Sequence, residues 1–207
     1  MRLIANTDDV AEGAAWLARH HPRFAHALEV TGPWPLRRQA DGFAALLDAI
    51  IGQQVSTAAA RAIAGRMQAA GLWSAEAITA AGEEPLRAAG LSRPKVRYAL
   101  ALARAGVDWD GLRAQPDDQV IATLVALPGI GTWTAEIYAM FALGRADVLA
   151  AGDLALQESA RALFALDSRP TDRQLRILAQ DWSPWRAVAA RGLWAYYHHL
   201  KSREGVR

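Results

Sequence analysis

The stretch LPGIGTWTAEIYAMFALGRADVLAAGDLALQESARAL, from Leu127 to Leu163, decides the fold. It places a tight Gly-x-Gly turn between two segments whose apolar residues recur at helical spacing. A tryptophan, Trp133, follows the turn, and a single aspartate, Asp153, stands where the next helix is expected to begin. Taken one at a time, a turn between helices and an aspartate at a helix N-terminus are common structural features. It is the order and spacing of the turn, the tryptophan and the aspartate that favour a functional site.

Almost the whole chain has the apolar spacing of helices, and runs of alternating β-branched residues are absent. The predicted helices, bounded by N-cap residues, glycines and prolines, cover residues 8–20, 22–29, 42–52, 56–70, 74–80, 83–89, 93–105, 117–126, 133–143, 153–166, 171–181 and 184–201. One clear irregular stretch, 30–42, contains Pro33 and Pro35, which break any helix. The sequence therefore predicts an all-α protein.

Composition excludes several kinds of site. The chain has 207 residues and no cysteine, so disulfides, thiolate zinc sites and iron–sulfur clusters are excluded. Four of its five histidines form adjacent pairs, which lack the spacing of a metal-ligand set, and no catalytic metal is expected. A net charge of +2 permits DNA binding without indicating it. No segment has the pattern of a signal peptide or a membrane span, so we expect an intracellular protein without membrane contact.

The LPGIG turn has two interpretations. Pro128 ends the preceding helix, and Gly129 and Gly131 are free to take positive φ. The pattern alone favours a plain hairpin between helices. Alternatively, consecutive backbone N–H groups at a helix start form an anion site, which would bind a DNA phosphate without reading sequence.

Three motifs in order resemble one family. LPGIGTWTAEIYAMFALG is similar to the hairpin of the helix-hairpin-helix DNA glycosylase superfamily, and AAGD, ending at Asp153, is similar to the turn that carries its catalytic aspartate. AIIGQQVSTAAARAI (49–63) and WSPWRAVAARGLWAYY (182–197) resemble the branch that removes alkylated bases, the DNA-3-methyladenine glycosylase II type. The similarity runs from Asp41 to Tyr197.

The resemblance implies a fold as well as an activity. It predicts an all-α glycosylase of two lobes with a DNA-binding cleft between them, one lobe near 35–131 and the other 1–34 plus 132–207. Only about 40 residues precede the matching block, too few for the N-terminal β-rich domain of the familiar bacterial relative, so a compact form is expected. The implied partner is double-stranded DNA containing a damaged base. We expect a monomer associated with the nucleoid, because DNA must enter an open cleft.

Asp153 is the expected catalytic residue. From the residue alone, an N-cap is the favoured interpretation, and both roles are compatible because backbone N–H bonds favour the charged form of a carboxylate. Base excision passes through an oxocarbenium-like sugar, which a carboxylate stabilises while it orients the attacking water. Asp147 is the nearest rival carboxylate, but it lies outside the motif, and a capping or pairing role at the surface is favoured.

Trp133 stands where strand-cutting members of the superfamily have a lysine nucleophile. No lysine lies between Lys95 and Lys201, so the chain is predicted to be monofunctional, with water as nucleophile and an abasic site as product. Alkylated purines such as N3-methyladenine and N7-methylguanine carry positive charge and weakened glycosidic bonds. An aromatic pocket selects such bases by stacking and cation–π attraction.

The resemblance assigns further residues by position. The predicted base pocket contains Trp133, Trp194, Ile137 and Leu154, although Trp194 on an amphipathic helix is also typical of core. Relatives have tyrosines at the last two positions, which leaves the lesion range open. Gln53 and Gln54 are candidates for the wedge that fills the space left by a flipped base, against a plain polar turn. We favour Gln54, where relatives often have an apolar residue.

The hairpin completes the predicted site. Its phosphate-binding residues are Leu127, Pro128, Gly129, Ile130, Gly131 and Thr132, and the resemblance suggests that carbonyls near Leu127 and Ile130 hold a monovalent cation. No other cofactor is expected. The cluster of Arg93, Lys95 and Arg97 either contacts phosphates or forms a solvated face. Two alternative functions are a non-catalytic DNA-binding module and a monofunctional glycosylase for another lesion or mismatch.

Overall fold

The computed structural model describes residues 1–204, and this range is helical apart from loops and one isolated bridge between Leu3 and Arg145. Its α-helices are α1 (Thr7–His20), α2 (Pro22–Thr31), α3 (Phe43–Gly52), α4 (Thr57–Ala69), α5 (Ala75–Ala81), α6 (Glu83–Ala88), α7 (Arg93–Arg104), α8 (Trp109–Ala114), α9 (Asp117–Val125), α10 (Thr132–Phe141), α11 (Leu154–Leu163), α12 (Asp172–Leu178) and α13 (Arg186–Glu204). A 3₁₀ helix, Ala179–Trp182, follows α12. The prediction of an all-α protein is confirmed.

The structure differs from the sequence prediction at three places in particular. The helix α8 was not predicted, because its six residues are too few to show a periodic pattern; the Asp108 side chain caps it by accepting the Gly111 N–H (3.0 Å). The predicted helix 171–181 is two elements, α12 and the 3₁₀ helix. The irregular stretch was predicted to begin at residue 30, but α2 continues to Thr31.

The contacts divide the chain into two units. Unit 1 contains Met1–Arg38 and the described residues from Ala139 onward, and unit 2 is Gln39–Tyr138. The predicted lobes had boundaries at 35 and 131, whereas the second observed boundary falls inside α10. The first turns of this continuous helix belong to unit 2.

Unit 1 is organised around α13, which packs against α1, α2 and α11. Aromatic rings fill part of its core, with Phe24 edge-on to Trp182 (5.1 Å between ring centroids). The buried Arg191 of α13 donates from Nε to the Leu36 carbonyl (3.0 Å) and lies over the Phe141 ring. Burial lowers the pKa of Arg191 to about 10, and this arginine holds the irregular stretch against α13.

Unit 2 is organised around α7, which packs against α3, α5 and α6. Its apolar face includes the buried Val96, Ala99 and Leu100. This packing fixes α3, and the end of α3 carries the GQQVS turn.

Candidate functional site

The hairpin between α9 and α10 is a tight turn. The Ile130 N–H donates to the Leu127 carbonyl (3.0 Å), and Gly129 has φ of +87°. A β-carbon at Gly129 would lie 2.3 Å from Cγ of Tyr98. Both the backbone conformation and the neighbouring ring therefore require glycine at this position.

Gly131 differs from Gly129 in its backbone conformation. It does not have positive φ, because it leads directly into the first turn of α10. Gly131 is exposed, and a β-carbon there would meet nothing within 4 Å. The open space lies at the N-terminus of a helix, where backbone N–H groups lack helical partners and attract anions. The Ile130 N–H, by contrast, is already used inside the turn.

The two candidate wedge glutamines have different environments. Gln53 caps α3 and donates from Nε2 to the Gly129 carbonyl (2.8 Å), which ties this turn to the hairpin. Gln54 is exposed and has φ of +54°. Left-handed backbone at a residue other than glycine is strained and is often found at functional sites. The geometry presents Gln54 outward and gives Gln53 a positioning role.

A cavity of about 650 Å³ lies within unit 2, between α3 and the first turns of α10. It brings together Trp133 and Ile137 from the predicted base pocket, along with Gln53. Trp133 is 47% exposed and forms part of the cavity wall. The volume is within the range of small-molecule sites.

Sequence reasoning missed three residues that line this cavity: Asp48, Trp73 and Tyr138. Trp73 and Tyr138 had no signal beyond their residue type. Asp48 had one, because it is the single charged residue of α3, whose sequence is FAALLDAIIG. A charge within an otherwise apolar helix is a sign that this position faces a polar space.

Tyr138 is a fixed part of the cavity wall. Its hydroxyl donates to Asp41 and accepts the Gly42 N–H (2.9 Å). Burial, followed by the bond to Asp41, raises the pKa of Tyr138 above its ordinary value. Tyr138 therefore remains a neutral phenol with its hydroxyl group anchored.

Asp153 and Trp194 meet in unit 1. Asp153 is the N-cap of α11, as its sequence position predicts, and its Oδ1 accepts the Leu156 N–H (3.0 Å). The same oxygen accepts the indole N–H of Trp194 (3.2 Å). Two donors from different helices thus hold the carboxylate in one orientation. The adjacent Leu154 is 57% exposed.

Trp194 lies largely inside unit 1. It is 8% exposed, packs against Phe141 (5.6 Å between ring centroids) and has the guanidinium of Arg37 over its ring (5.8 Å). Little of the ring is left for stacking with a base. The polar contact that Trp194 makes is the hydrogen bond that orients Asp153.

For the base release that the resemblance implies, we expect Trp194→Phe to lower the single-turnover rate about tenfold, because phenylalanine keeps the ring but removes the donor to Asp153. The measurement is burst kinetics on methylated DNA, with thermal unfolding as the folding control. Trp16→Phe, at a half-buried position of α1 whose ring stacks on His20, is the matched substitution and should leave the rate unchanged. An unchanged rate in Trp194→Phe would show that the hydrogen bond from Trp194 to Asp153 does not contribute to the reaction.

The predicted basic cluster is divided by burial. Arg93 and Arg97 are exposed, but Lys95 is buried and donates from Nζ to the Ile51 carbonyl (2.6 Å) near the end of α3. Burial lowers the pKa of Lys95. The ammonium group of Lys95 is bound inside unit 2, so neither of the two alternatives for the cluster, a phosphate contact or a solvated face, describes Lys95.

Lys95→Met is expected to lower the free energy of unfolding by about 1–3 kcal/mol, because the Ile51 carbonyl loses its buried donor. Urea unfolding measures the change. Arg97→Met, on the exposed side of the same helix, should cost less than about 0.5 kcal/mol. If Lys95→Met instead weakened DNA binding at unchanged stability, Lys95 would be a phosphate contact after all.

Asp147 forms the pairing expected of it. Its Oδ2 accepts from Ser183 Oγ (2.7 Å) and from Nη1 of Arg186 (2.9 Å). This carboxylate ties the start of α13 to the loop before α11, which is a structural task.

Residues 1–204 show neither a metal-binding cluster nor a membrane-spanning helix. This range holds no group of three or more histidine, cysteine, aspartate or glutamate side chains with the geometry of a metal site. None of its helices combines the length and the apolar character needed to cross a membrane.

Known proteins resemble this chain in both sequence and structure. A family model described as "HhH-GPD superfamily base excision DNA repair protein" matches residues 47–184. The "Probable bifunctional transcriptional activator/DNA repair enzyme AlkA" of Mycobacterium tuberculosis is 40% identical over 95 residues, which are 46% of this chain and 17% of that protein. The chain spans about half or less of the length of the first curated relatives that it matches.

Two solved structures cover nearly the whole chain. The DNA-3-methyladenine glycosidase of Bacillus halodurans is 31% identical with a TM-score of 0.83, over 98% of this chain and 95% of that one. The 3-methyladenine DNA glycosylase Mag1 of Schizosaccharomyces pombe, in complex with abasic DNA, is 27% identical with a TM-score of 0.75, over 88% of this chain and 95% of that one.

Proposed function

Because the chain belongs to the HhH-GPD superfamily of base excision DNA repair proteins, we propose that it is a monofunctional DNA glycosylase that removes alkylated bases. The substrate class is duplex DNA with bases of the N3-methyladenine and N7-methylguanine type. The observation that carries the proposal is the Asp153 carboxylate, held by the Leu156 N–H and the Trp194 indole. A protein that only binds DNA has no need of a carboxylate fixed in this way.

The chemistry assigned to Asp153 is hydrolysis of the glycosidic bond. When the bond between C1′ and the base nitrogen breaks, its electron pair leaves with the base, and positive charge develops on the sugar. The carboxylate stabilises that charge and orients a water molecule. The water oxygen bonds to C1′ and its proton is released, which leaves an abasic site. An alkylated base departs neutral, so no protein group has to protonate it.

A lyase step is not part of the proposal. Trp133 occupies the position of the lysine nucleophile, and the ammonium group of Lys95 is bound to the Ile51 carbonyl. Strand cleavage by a Schiff base requires an accessible amine. This argument supports water as the nucleophile.

The remaining roles follow the geometry of each unit. In unit 2, Trp133 and Ile137 form part of the base cavity, the exposed N-terminus of α10 binds a phosphate, and Gln54 is the wedge. In unit 1, Asp153 acts on the sugar, with Leu154 exposed beside it. The carbonyl groups near Leu127 and Ile130 offer oxygen ligands, which suit a hard monovalent cation. Such an ion would add positive charge near the phosphate site.

The test is release of free base from methylated duplex DNA by the purified chain. We expect N3-methyladenine or N7-methylguanine in the soluble fraction, abasic sites in the DNA, and no covalent adduct on borohydride treatment. Binding to DNA without release of any base would favour the binding-module alternative. Release of an oxidised or mismatched base alone would favour the alternative lesion class.

A further inference from the structure

Asp48 is the one charged side chain lining the unit 2 cavity among the described residues. The other polar groups there are uncharged, and they include the amides of Gln39, Gln53 and Gln68. No arginine, lysine or histidine from the described range contributes to the lining. The cavity therefore carries a net negative charge, although the whole chain is slightly positive.

The carboxylate of Asp48 is exposed and, within the described part of the chain, has no ion-pair partner, in contrast to several other carboxylates. Asp41 is paired with Arg113, Asp147 with Arg186, and Glu158 with Arg161. Within residues 1–204, Asp48 makes neither an ion pair nor a hydrogen bond. Its charge is available to a ligand in the cavity.

Two tryptophans share the cavity with this carboxylate. Trp73 and Trp133 both contribute to the lining, and Trp133 is exposed. Indole rings attract cations over their faces, and a carboxylate attracts them at longer range. Both features favour a flat ligand that carries positive charge.

We propose that Asp48 makes this cavity selective for positively charged bases over neutral ones. The inference rests on the proposed function, because it assigns the cavity to the base. Asp48 then determines which bases the cavity binds, and the amide side chains that share the lining are left to bond the polar edge of the base.

The charge of the base exists only before the glycosidic bond breaks. The electron pair of that bond neutralises the purine as the sugar becomes cationic. Asp48 therefore stabilises the bound substrate and not the departing base, so its contribution is to binding and not to the chemical step. For the same reason, the free base is neutral after the bond breaks and can leave the cavity without being attracted to Asp48.

The first test uses free purines that differ in one methyl group and one charge. Quenching of tryptophan fluorescence compares 3,9-dimethyladeninium, a fixed cation, with neutral 9-methyladenine. We expect the native chain to bind the cation about three- to tenfold more tightly, and Asp48→Asn to lose that preference. Glu84→Gln, the same change of charge on the exposed start of α6, should keep the preference. Equal binding of both purines, binding of neither, or a preference that survives in Asp48→Asn would overturn the proposal.

The second test separates this inference from the proposed function. On methylated DNA, Asp48→Asn is expected to raise KM about three- to tenfold without lowering kcat, because the stabilisation that is removed belongs to the bound substrate and not to the transition state. Failure of the native chain to release any alkylated base would refute the proposed function. Release by the native chain with an unchanged KM in Asp48→Asn would refute only the role of Asp48.

Discussion

Asp153→Asn should lower the single-turnover rate of base release by about 100- to 1,000-fold, the usual effect of removing one group that stabilises charge in a transition state. Asparagine has nearly the same shape as aspartate. Its side-chain oxygen can still accept the Leu156 N–H and the Trp194 indole N–H. What the substitution removes is the negative charge.

The folded state should tolerate this change. Asparagine is as good an N-cap as aspartate, so α11 keeps its capped start. DNA binding is expected to stay the same or to become tighter, because one negative charge is removed from a surface that meets phosphates. Rates should be measured at saturating protein, where occupancy of the DNA is matched.

Asp147→Asn is the matched control. It makes the same change in charge at the carboxylate that pairs with Arg186 and Ser183. We expect it to lower the free energy of unfolding, while the folded protein keeps its single-turnover rate of base release. Equal losses of rate in the two variants would mean that overall charge matters and that Asp153 has no special role. A native rate in Asp153→Asn would contradict the mechanism directly.

Local features of the site could be predicted from the sequence. Ser56 and Ser74 cap helices where their residue type and position predict, and Asp153 does the same. These assignments succeed because a cap is formed by residues that are close neighbours in the chain. The same locality explains why the hairpin was found at Gly129.

Contacts between distant residues could not be predicted in this way. The bond between Trp194 and Asp153 joins residues that are 41 positions apart, and the bond between Gln53 and Gly129 spans 76. Nothing in the local pattern separates Gln53, which is tied to the hairpin, from Gln54, which points outward. Burial of Lys95 was missed for the same reason, since its partner is the carbonyl of Ile51.

Gly129→Ala is expected to lower the free energy of unfolding by about 2–5 kcal/mol, through two effects that add. The backbone has φ of +87°, where an alanine costs about 1–2 kcal/mol. The new β-carbon would also lie 2.3 Å from Cγ of Tyr98, so the ring or the turn must move, which costs about 1–3 kcal/mol. Thermal and urea unfolding measure the loss.

Gly131→Ala tests whether this cost belongs to the turn or to any glycine of the hairpin. The backbone of Gly131 is not left-handed, and its β-carbon would meet nothing within 4 Å, so the free energy of unfolding should change by less than about 0.5 kcal/mol. For DNA binding we expect the opposite order: when only folded protein is compared, Gly131→Ala should weaken binding more than Gly129→Ala does. The added methyl group at Gly131 occupies the open space through which a phosphate approaches the start of α10. Because Gly131→Ala is expected to fold normally, weaker DNA binding in that variant would locate the phosphate contact, whereas native affinity would exclude Gly131 from it.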